Sequence, residues 1–391
     1  MRIKVVILVN ELLRGGAQRM IADLARTIDK ERFDLCIVTL KDKNVFSTES
    51  KTYHQEIESA GVPILSLQGG ARVSLGEFWR LKKYLTQNQP DVVHTFLPYA
   101  GILGRIAARW AHIATIISTQ CNLPVAYTKK LYWLDRLTLP LAHAWTGATE
   151  GIELHYGGST EYVQGELIRR GRRHFTIVSG VDVAAIEKVM TGTDRIKKRH
   201  ELAIPLEARL VFMTARLMSW KGHEDAIAAL ANLPASYHIA FAGWGPLEAS
   251  LREQARRLGV IERVHFLGVR RDIYELLAIS DIYLQVFSYT PRGDIWAGPN
   301  ISLMEAAAAG VPIVASRIPL IEKLVEDQVT GRLAEVGNPA EIAQAIRQTD
   351  ASRHETAQMV KKIRQRIYET YSVNVMTRQH ELLYEELMMQ R

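Results

Sequence analysis

The sequence predicts an α/β protein of two domains, each a doubly wound parallel sheet, and three features predict it. At 391 residues the chain is longer than one hydrophobic core usually serves, and its 47% hydrophobic content supplies two. Short apolar runs of strand length alternate with helical patterns, an alternation that specifies parallel sheets covered on both faces. Twice an apolar strand runs into a polar loop that opens a helix: Val5–Val9 before Gly15 and Gly16, and Leu210–Thr214 before Lys221 and Gly222.

Composition excludes several classes. Two cysteines, Cys36 and Cys121, have neither metal-ligand spacing nor a disulfide framework, so a reducing cytoplasm is expected. The opening MRIKVVILVNELLRGG is too short an apolar run for a secretory signal and reads as a first core strand. No stretch approaches the roughly 20 uninterrupted apolar residues of a membrane span, so any membrane contact is expected to be peripheral, on the inner face. The net charge of +7 favours acidic partners: phosphorylated sugars, anionic lipid surfaces or nucleic acid. The basic clusters Arg169, Arg170, Arg172, Arg173 and Lys197–Arg199 lie in no nucleic-acid motif and read as solvated surface, so no nucleic-acid partner is expected.

Along the first half, Val5–Val9 is followed by a helix from about Ala17 to Ile28, and Gly15 and Gly16 leave the backbone free to approach a ligand at its start. Phe33–Leu40, Val62–Leu67, Val92–Thr95, Thr115–Ser118 and Ala144–Thr146 read as buried strands, with helices such as Leu75–Leu85 and Gly101–Trp110 between them. His94 is placed at the carboxyl end of its strand, where open α/β sheets bind ligands, and a hydrogen-bonded packing role is the plain alternative. Residues 127–145, YTKKLYWLDRLTLPLAHAW, are aromatic and basic at once, which suits a helix on a membrane surface or over a lipid-linked acceptor; core packing explains them too. Phe175–Val178 closes this half, and Thr191–Glu207 reads as a helix-containing connector. The boundary is set at residue 180, with the second domain over 181–372.

In the second half, Arg216 and Lys221 stand five apart on the loop after Leu210–Thr214, where two cations can both reach a diphosphate. His238–Ala242 leads into Gly243-Trp244-Gly245-Pro246. The stretch Asp281–Pro319 then packs strand, loop, helix and strand into one unit. Asn300 can cap a helix over Ile301–Ala309, Gly310 suits the left-handed position that ends it, and Ile313–Ala315 is the next strand. Free amides near Ile301 and Ser302 attract an anion, and Glu305 is long enough to accept from sugar hydroxyls. Together these features point to a nucleotide. Helices over Pro339–Arg347, Ser352–Tyr371 and Val373–Met389 complete the chain.

These motifs resemble a known family. GPNISLMEAAAAGVPIVAS is similar to the donor-binding segment of the retaining glycosyltransferases of family four, two-domain enzymes of GT-B architecture whose Rossmann-like halves face a central cleft. Arg-Gly-Gly-Ala-Gln-Arg at the first turn, DVVHTF around His94, SGVD at Ser179–Asp182, Arg216-x-x-x-x-Lys221-Gly222, the Gly-x-Gly-Pro turn and HFLGV before Arg270 each resemble a family motif in order. The resemblance implies that Arg216 and Lys221 hold the donor diphosphate and that Glu305 binds the ribose. It places Gly15, Gly16, Gly243, Gly245, Val269, Arg270, Gly298, Asn300, Ile301 and Ser302 around the donor, the last two through backbone near the phosphates. It implies too that the last helix, within 373–391, packs back on the first domain.

The chain departs from the pattern at four points: Ala297 stands where the first of two glutamates is usual, Gln18 where another glutamate is, Cys121 where a histidine is, and Ser179 where an asparagine is. Asp294 is the candidate replacement acid. The implied function is metal-independent, retaining transfer from a UDP- or GDP-sugar to a glycan or lipid-linked saccharide, with no permanently bound cofactor and with Arg216, Lys221, Glu305, Asp294 and His94 as reaction residues. The alternative is a nucleotide-sugar-binding protein of the same fold without transfer. An epimerase ranks below both, and a dinucleotide oxidoreductase last, because no Gly-x-Gly-x-x-Gly follows the first strand.

Overall fold

The computed structural model describes residues 2–41, 52–69, 75–121, 128–149, 152, 174–289 and 301–389. The chain divides into two compact units, Met1–Gly180 with Val373–Arg391, and Val181–Ser372.

The first unit runs β1 (Ile3–Val9), α1 (Gly16–Thr27), β2 (Phe33–Lys41), α2 (His54–Ser59), β3 (Ile64–Gly69), α3 (Leu75–Asn88), β4 (Val92–Phe96), α4 (Pro98–Trp110), β5 (Thr115–Gln120), α5 (Lys129–Thr138), β6 (Ala144–Gly147) and β7 (His174–Thr176). Its seven strands are parallel in the order β3-β2-β1-β4-β5-β6-β7. Val5, Ile7 and Val9 join a core under α1 and α2, while Val6 and Leu8 join a second under α3 and α4. Period-two alternation of a strand buried on both faces produces that division.

Two polar contacts fix the helices at the carboxyl ends of these strands. Pro98 opens α4, and the buried Asn10 Oδ1 accepts from the Ala100 amide at 2.8 Å, satisfying one free donor of its first turn. Arg105 of α4 and Asp135 of α5, both fully buried, pair at 2.6 Å, and Arg105 also donates to Ser118 Oγ at 2.7 Å.

The second unit runs α6 (Val183–Gly192), α7 (Arg195–Glu201), β8 (Arg209–Thr214), α8 (His223–Ala231), β9 (Tyr237–Ala242), α9 (Glu248–Arg257), β10 (Val264–Gly268), α10 (Ile273–Ile279), β11 (Ile282–Gln285), α11 (Ile301–Ala309), β12 (Ile313–Ser316), α12 (Pro319–Glu322), β13 (Arg332–Ala334), α13 (Pro339–Ala351) and α14 (Arg353–Thr370). Its six strands are parallel in the order β10-β9-β8-β11-β12-β13. Gly310 ends α11 at φ +75°, the left-handed conformation glycine adopts without cost. The last helix, α15 (Val373–Met389), lies in the first unit: Glu381 accepts from the Asp29 amide at 2.9 Å, and Leu383 and Tyr384 are fully buried.

Two expectations change. Within Thr191–Glu207, read as a connector, Arg195–Glu201 forms α7, which Asp194 caps and which belongs to the second unit, with Lys198 and Arg199 buried. Nor are Lys198 and Arg199 solvated. Lys198 pairs with Asp272 at 2.6 Å and Glu275 at 2.7 Å; Arg199 pairs with Asp281 at 2.9 Å and donates to the Ile279 carbonyl. Charge runs look alike in sequence whether or not a carboxylate from a distant helix meets them.

Candidate functional site

In the second sheet the strand order reverses between β8 and β11, and ligands of such sheets bind outside the carboxyl ends at that switch point. The chain leaves β8 through Ala215 and Arg216 and makes a short 3-10 turn over Ser219–Lys221. It enters α8 through Gly222 at φ +67°. A β-carbon on Gly222 would lie 2.7 Å from the Val286 carbonyl carbon, so only glycine lets this loop cross the end of β11.

Gly243 and Gly245 serve the same loop from the other side. Their β-carbons would lie 1.9 Å from the Ala215 oxygen and 2.3 Å from the Leu217 oxygen, and the Leu217 amide donates to the Trp244 carbonyl at 3.0 Å. Close nesting of two strand-end loops is what needs these glycines. They hold Arg216 in place through its neighbours.

Arg216 is exposed and Lys221 half-buried, and among the described residues neither meets a carboxylate. The Lys221 ammonium sits 4.8 Å from the Phe287 ring centroid, just beyond β11. Burial, then the charge of Arg216, push its pKa down to about 8. In a molecule where most described arginines are ion-paired, two adjoining cations lacking a counter-charge make a site for an anion. His223, the first residue of α8, is buried against Phe241 and kept neutral, pushed down to about 4 by burial and then Lys221.

Beyond β11, Ile301 and Ser302 form the partly exposed first turn of α11, with Ser302 Oγ 3.5 Å from Gln285 Oε1. One turn on, Glu305 accepts from the Tyr274 hydroxyl at 2.9 Å. Tyr274 belongs to α10, 31 residues earlier, and no sequence pattern singled it out. Val269 is exposed at the end of β10; Arg270 is bound to Asp272 through two nitrogens at 2.8 and 2.5 Å, so its backbone rather than its side chain is open to a ligand. Asp294, Ala297, Gly298 and Asn300 lie outside the described residues.

Gly15, Gly16 and His94 belong to the first unit. Gly15 is extended before α1, beside the Gln18 side chain; a β-carbon on Gly16 would meet nothing within 4 Å, which leaves that helix start open. His94 does not fit a role in the reaction. It sits mid-strand in β4, fully buried, with Nδ1 2.8 Å from Tyr384 Oη and Nε2 2.6 Å from Thr119 Oγ1. Both ring nitrogens are occupied, and burial, then His380, hold its pKa well below the usual value. It is a neutral packing histidine that ties α15 to the sheet. Burial pushes the Cys121 thiol up to about 12, which keeps it in the protonated, unreactive form.

The model of the family "Glycosyl transferases group 1" matches residues 194–366, and that of the "Glycosyl transferase 4-like domain" matches residues 15–159. The chain belongs to the group 1 glycosyltransferases. Among its relatives, the N-acetyl-alpha-D-glucosaminyl L-malate synthase of Bacillus anthracis is 24% identical over 225 residues, 57% of this chain and 56% of the relative. The lipopolysaccharide core biosynthesis glycosyltransferase LpsE of Rhizobium meliloti is 31% identical over 160 residues, 40% of this chain and 45% of the relative. The chain thus spans about half the length of these two relatives. Anabaena HepE, solved in complex with UDP, shares the GT-B fold with a TM-score of 0.77 at 19% identity, covering 98% of this chain and 100% of that one. Among the described residues, no helix of the chain is long and apolar enough to cross a membrane.

Proposed function

We propose that the protein transfers a sugar, with retention of configuration, from a nucleotide-diphosphate sugar to an acceptor hydroxyl. The observation that carries this reading is the Arg216–Lys221 pair, two cations that meet no carboxylate among the described residues, at the carboxyl-end switch point of a parallel sheet. Breaking the bond between the anomeric carbon and the diphosphate oxygen leaves negative charge on that oxygen. Arg216, Lys221 and the first-turn amides of α11 at Ile301 and Ser302 stabilise it, each contributing on the order of 3 kcal/mol. The acceptor hydroxyl attacks the anomeric carbon from the face the diphosphate leaves, and its proton passes to the departing phosphate oxygen. No metal ion and no resident cofactor is assigned a step.

Glu305, steadied by Tyr274, accepts from ribose hydroxyls, while backbone at Val269 and Arg270 meets the base. That HepE, of the same fold, was solved with UDP supports a uridine donor over a guanosine one. The name of the L-malate synthase points to a small hydroxy acid within the same family, whereas that of the lipopolysaccharide core relative supports a glycan or lipid-linked saccharide of the cell envelope as acceptor. A cytoplasmic protein with peripheral contact at the inner face of the membrane suits such an acceptor. Within residues 127–145, α5 turns Trp133 and Leu137 outward, opposite the buried Asp135, which supports contact there.

Ala297, in place of an acid, favours a second reading in which the nucleotide sugar binds without transfer. Calorimetric titration with UDP, GDP and ADP, on the native protein, Arg216→Ala and Glu305→Ala, tests the site: one nucleotide is expected to saturate it, and both substitutions to weaken it. Binding that ignores both changes would remove the reading. Donor turnover with acceptor, measured on the same protein, separates transfer from binding alone.

A further inference from the structure

We propose that the outer surface of α3 and the end of α4, centred on Trp79 and Trp110, is a docking site for an anionic lipid surface. It is a second point of membrane contact besides α5, and it stands independently of the donor site.

The aromatic half of the patch is built rather than incidental. Trp79 and Trp110 remain 54% and 55% exposed, although each packs edge-on against the buried Phe78, with ring centroids 5.3 and 5.4 Å away. The two indoles lie 6.2 Å from one another. Leu75, one turn before Trp79, is 76% exposed. A core phenylalanine thus holds two indoles at the surface, where an apolar ring with a polar N–H suits a membrane interface.

The charged half is one-sided. Helices α3, α4 and α5 carry two acids, Glu77 and Asp135, and both are buried. Asp135 is consumed by Arg105, and Glu77 lies 3.6 Å from Arg80. From Asp91 to Asp135 the sequence contains no other acid. Lys82 lies 5.7 Å above the Trp79 ring, and Lys82 and Lys83 meet no carboxylate among the described residues. With Trp79, Thr86 and Gln87 these lysines line a shallow cavity of about 330 Å³.

Inward-facing acids and outward-facing lysines complement a surface of negative charge. Exposed indoles with lysine stems are what penetrate the headgroup region, and stable docking takes an apolar and an electrostatic contribution together. A protein partner fits less well, because lysine is depleted at the centre of such interfaces. Nucleic acid fits less well too: the indoles are tilted at 56° to each other and do not offer parallel stacking faces.

Flotation of the full chain with phosphatidylcholine vesicles, with and without phosphatidylglycerol, tests the proposal. The native protein is expected to float only with the anionic vesicles, and less so as salt rises. Lys82→Gln/Lys83→Gln should cut that partition on the order of 20-fold, and Trp79→Ala/Trp110→Ala comparably. Lys361→Gln/Lys362→Gln, an equal loss of charge on α14, should leave it unchanged. Thermal unfolding and UDP titration of each variant separate loss of docking from loss of fold, and loss of docking from failure of the donor site. The lysine variant keeps the aromatic cluster intact should the tryptophan variant unfold. Equal flotation with neutral vesicles overturns the proposal, as does native-like flotation of the Lys82/Lys83 variant. So does a patch that the variants show to bind a single-stranded oligonucleotide instead.

Discussion

Tyr274 donates a hydrogen bond to Glu305 Oε1 at 2.9 Å, joining α10 to the second turn of α11. A carboxylate held this way keeps one orientation. Tyr274→Phe is therefore expected to weaken UDP binding about 10-fold, the value of one hydrogen bond to a charged group. Preference for UDP over an analogue lacking a ribose hydroxyl should shrink in parallel. Titration with both nucleotides checks it; an unchanged preference would mean that Glu305 does not read the ribose.

Lys221 has a pKa lowered to about 8, by burial first and Arg216 second. Below that pH it is protonated and attracts a diphosphate, and the bound anion raises its pKa further. UDP affinity should hither be level near pH 7 and fall as pH passes 8, by up to tenfold per unit, with protons taken up on binding in that range. Calorimetry in two buffers of different ionisation enthalpy counts them. Lys221→Gln should lower affinity and flatten this dependence.

His94 and His380 are buried in the first unit and neutral, with the His380 pKa pushed down to about 4 by burial. Because the folded values lie below the unfolded value near 6.5, the unfolded chain takes up protons first as the solution is acidified. Stability should be full above pH 6.5 and decline from there towards pH 4, read by urea unfolding across that range. His94→Ala, which strands Tyr384 and Thr119 in the core, should cost about 2–4 kcal/mol and leave UDP affinity unchanged.

The buried pair Arg105–Asp135 sets a further expectation. Asp135→Ala leaves the guanidinium without its counter-charge and should destabilise the protein by about 3–5 kcal/mol. Replacing both residues by apolar ones of similar volume should cost far less, and equilibrium unfolding distinguishes the two.

Much of the architecture was legible before any coordinates. Apolar runs and helical periods located strands and helices of both sheets, and α11 and α15 fall over the stretches read as helices, Ile301–Ala309 and Val373–Met389. At the candidate site, the spacing of Arg216 and Lys221 after a strand carried the anion reading. His94 was misjudged for a definite reason: a histidine in a buried strand reads the same whether its ring nitrogens face a ligand or, as here, Tyr384 and Thr119. Gly243 and Gly245 were assigned to a ligand when the nearest atoms are the backbone of residues 215–217.

Sequence by itself determined the alternation of elements, the positions of cations and glycines at strand ends, and an acid one turn into α11, because each depends on residues close in the chain. Tertiary structure decided the partners: Tyr274 for Glu305, Tyr384 for His94, Asp135 for Arg105, the Phe287 ring for Lys221, and no carboxylate among the described residues for Arg216 or Lys221. Whether a polar side chain is spent or left open for chemistry depends on groups tens to hundreds of residues away, brought to hydrogen-bonding distance only when hydrophobic burial packs the helices onto their sheets.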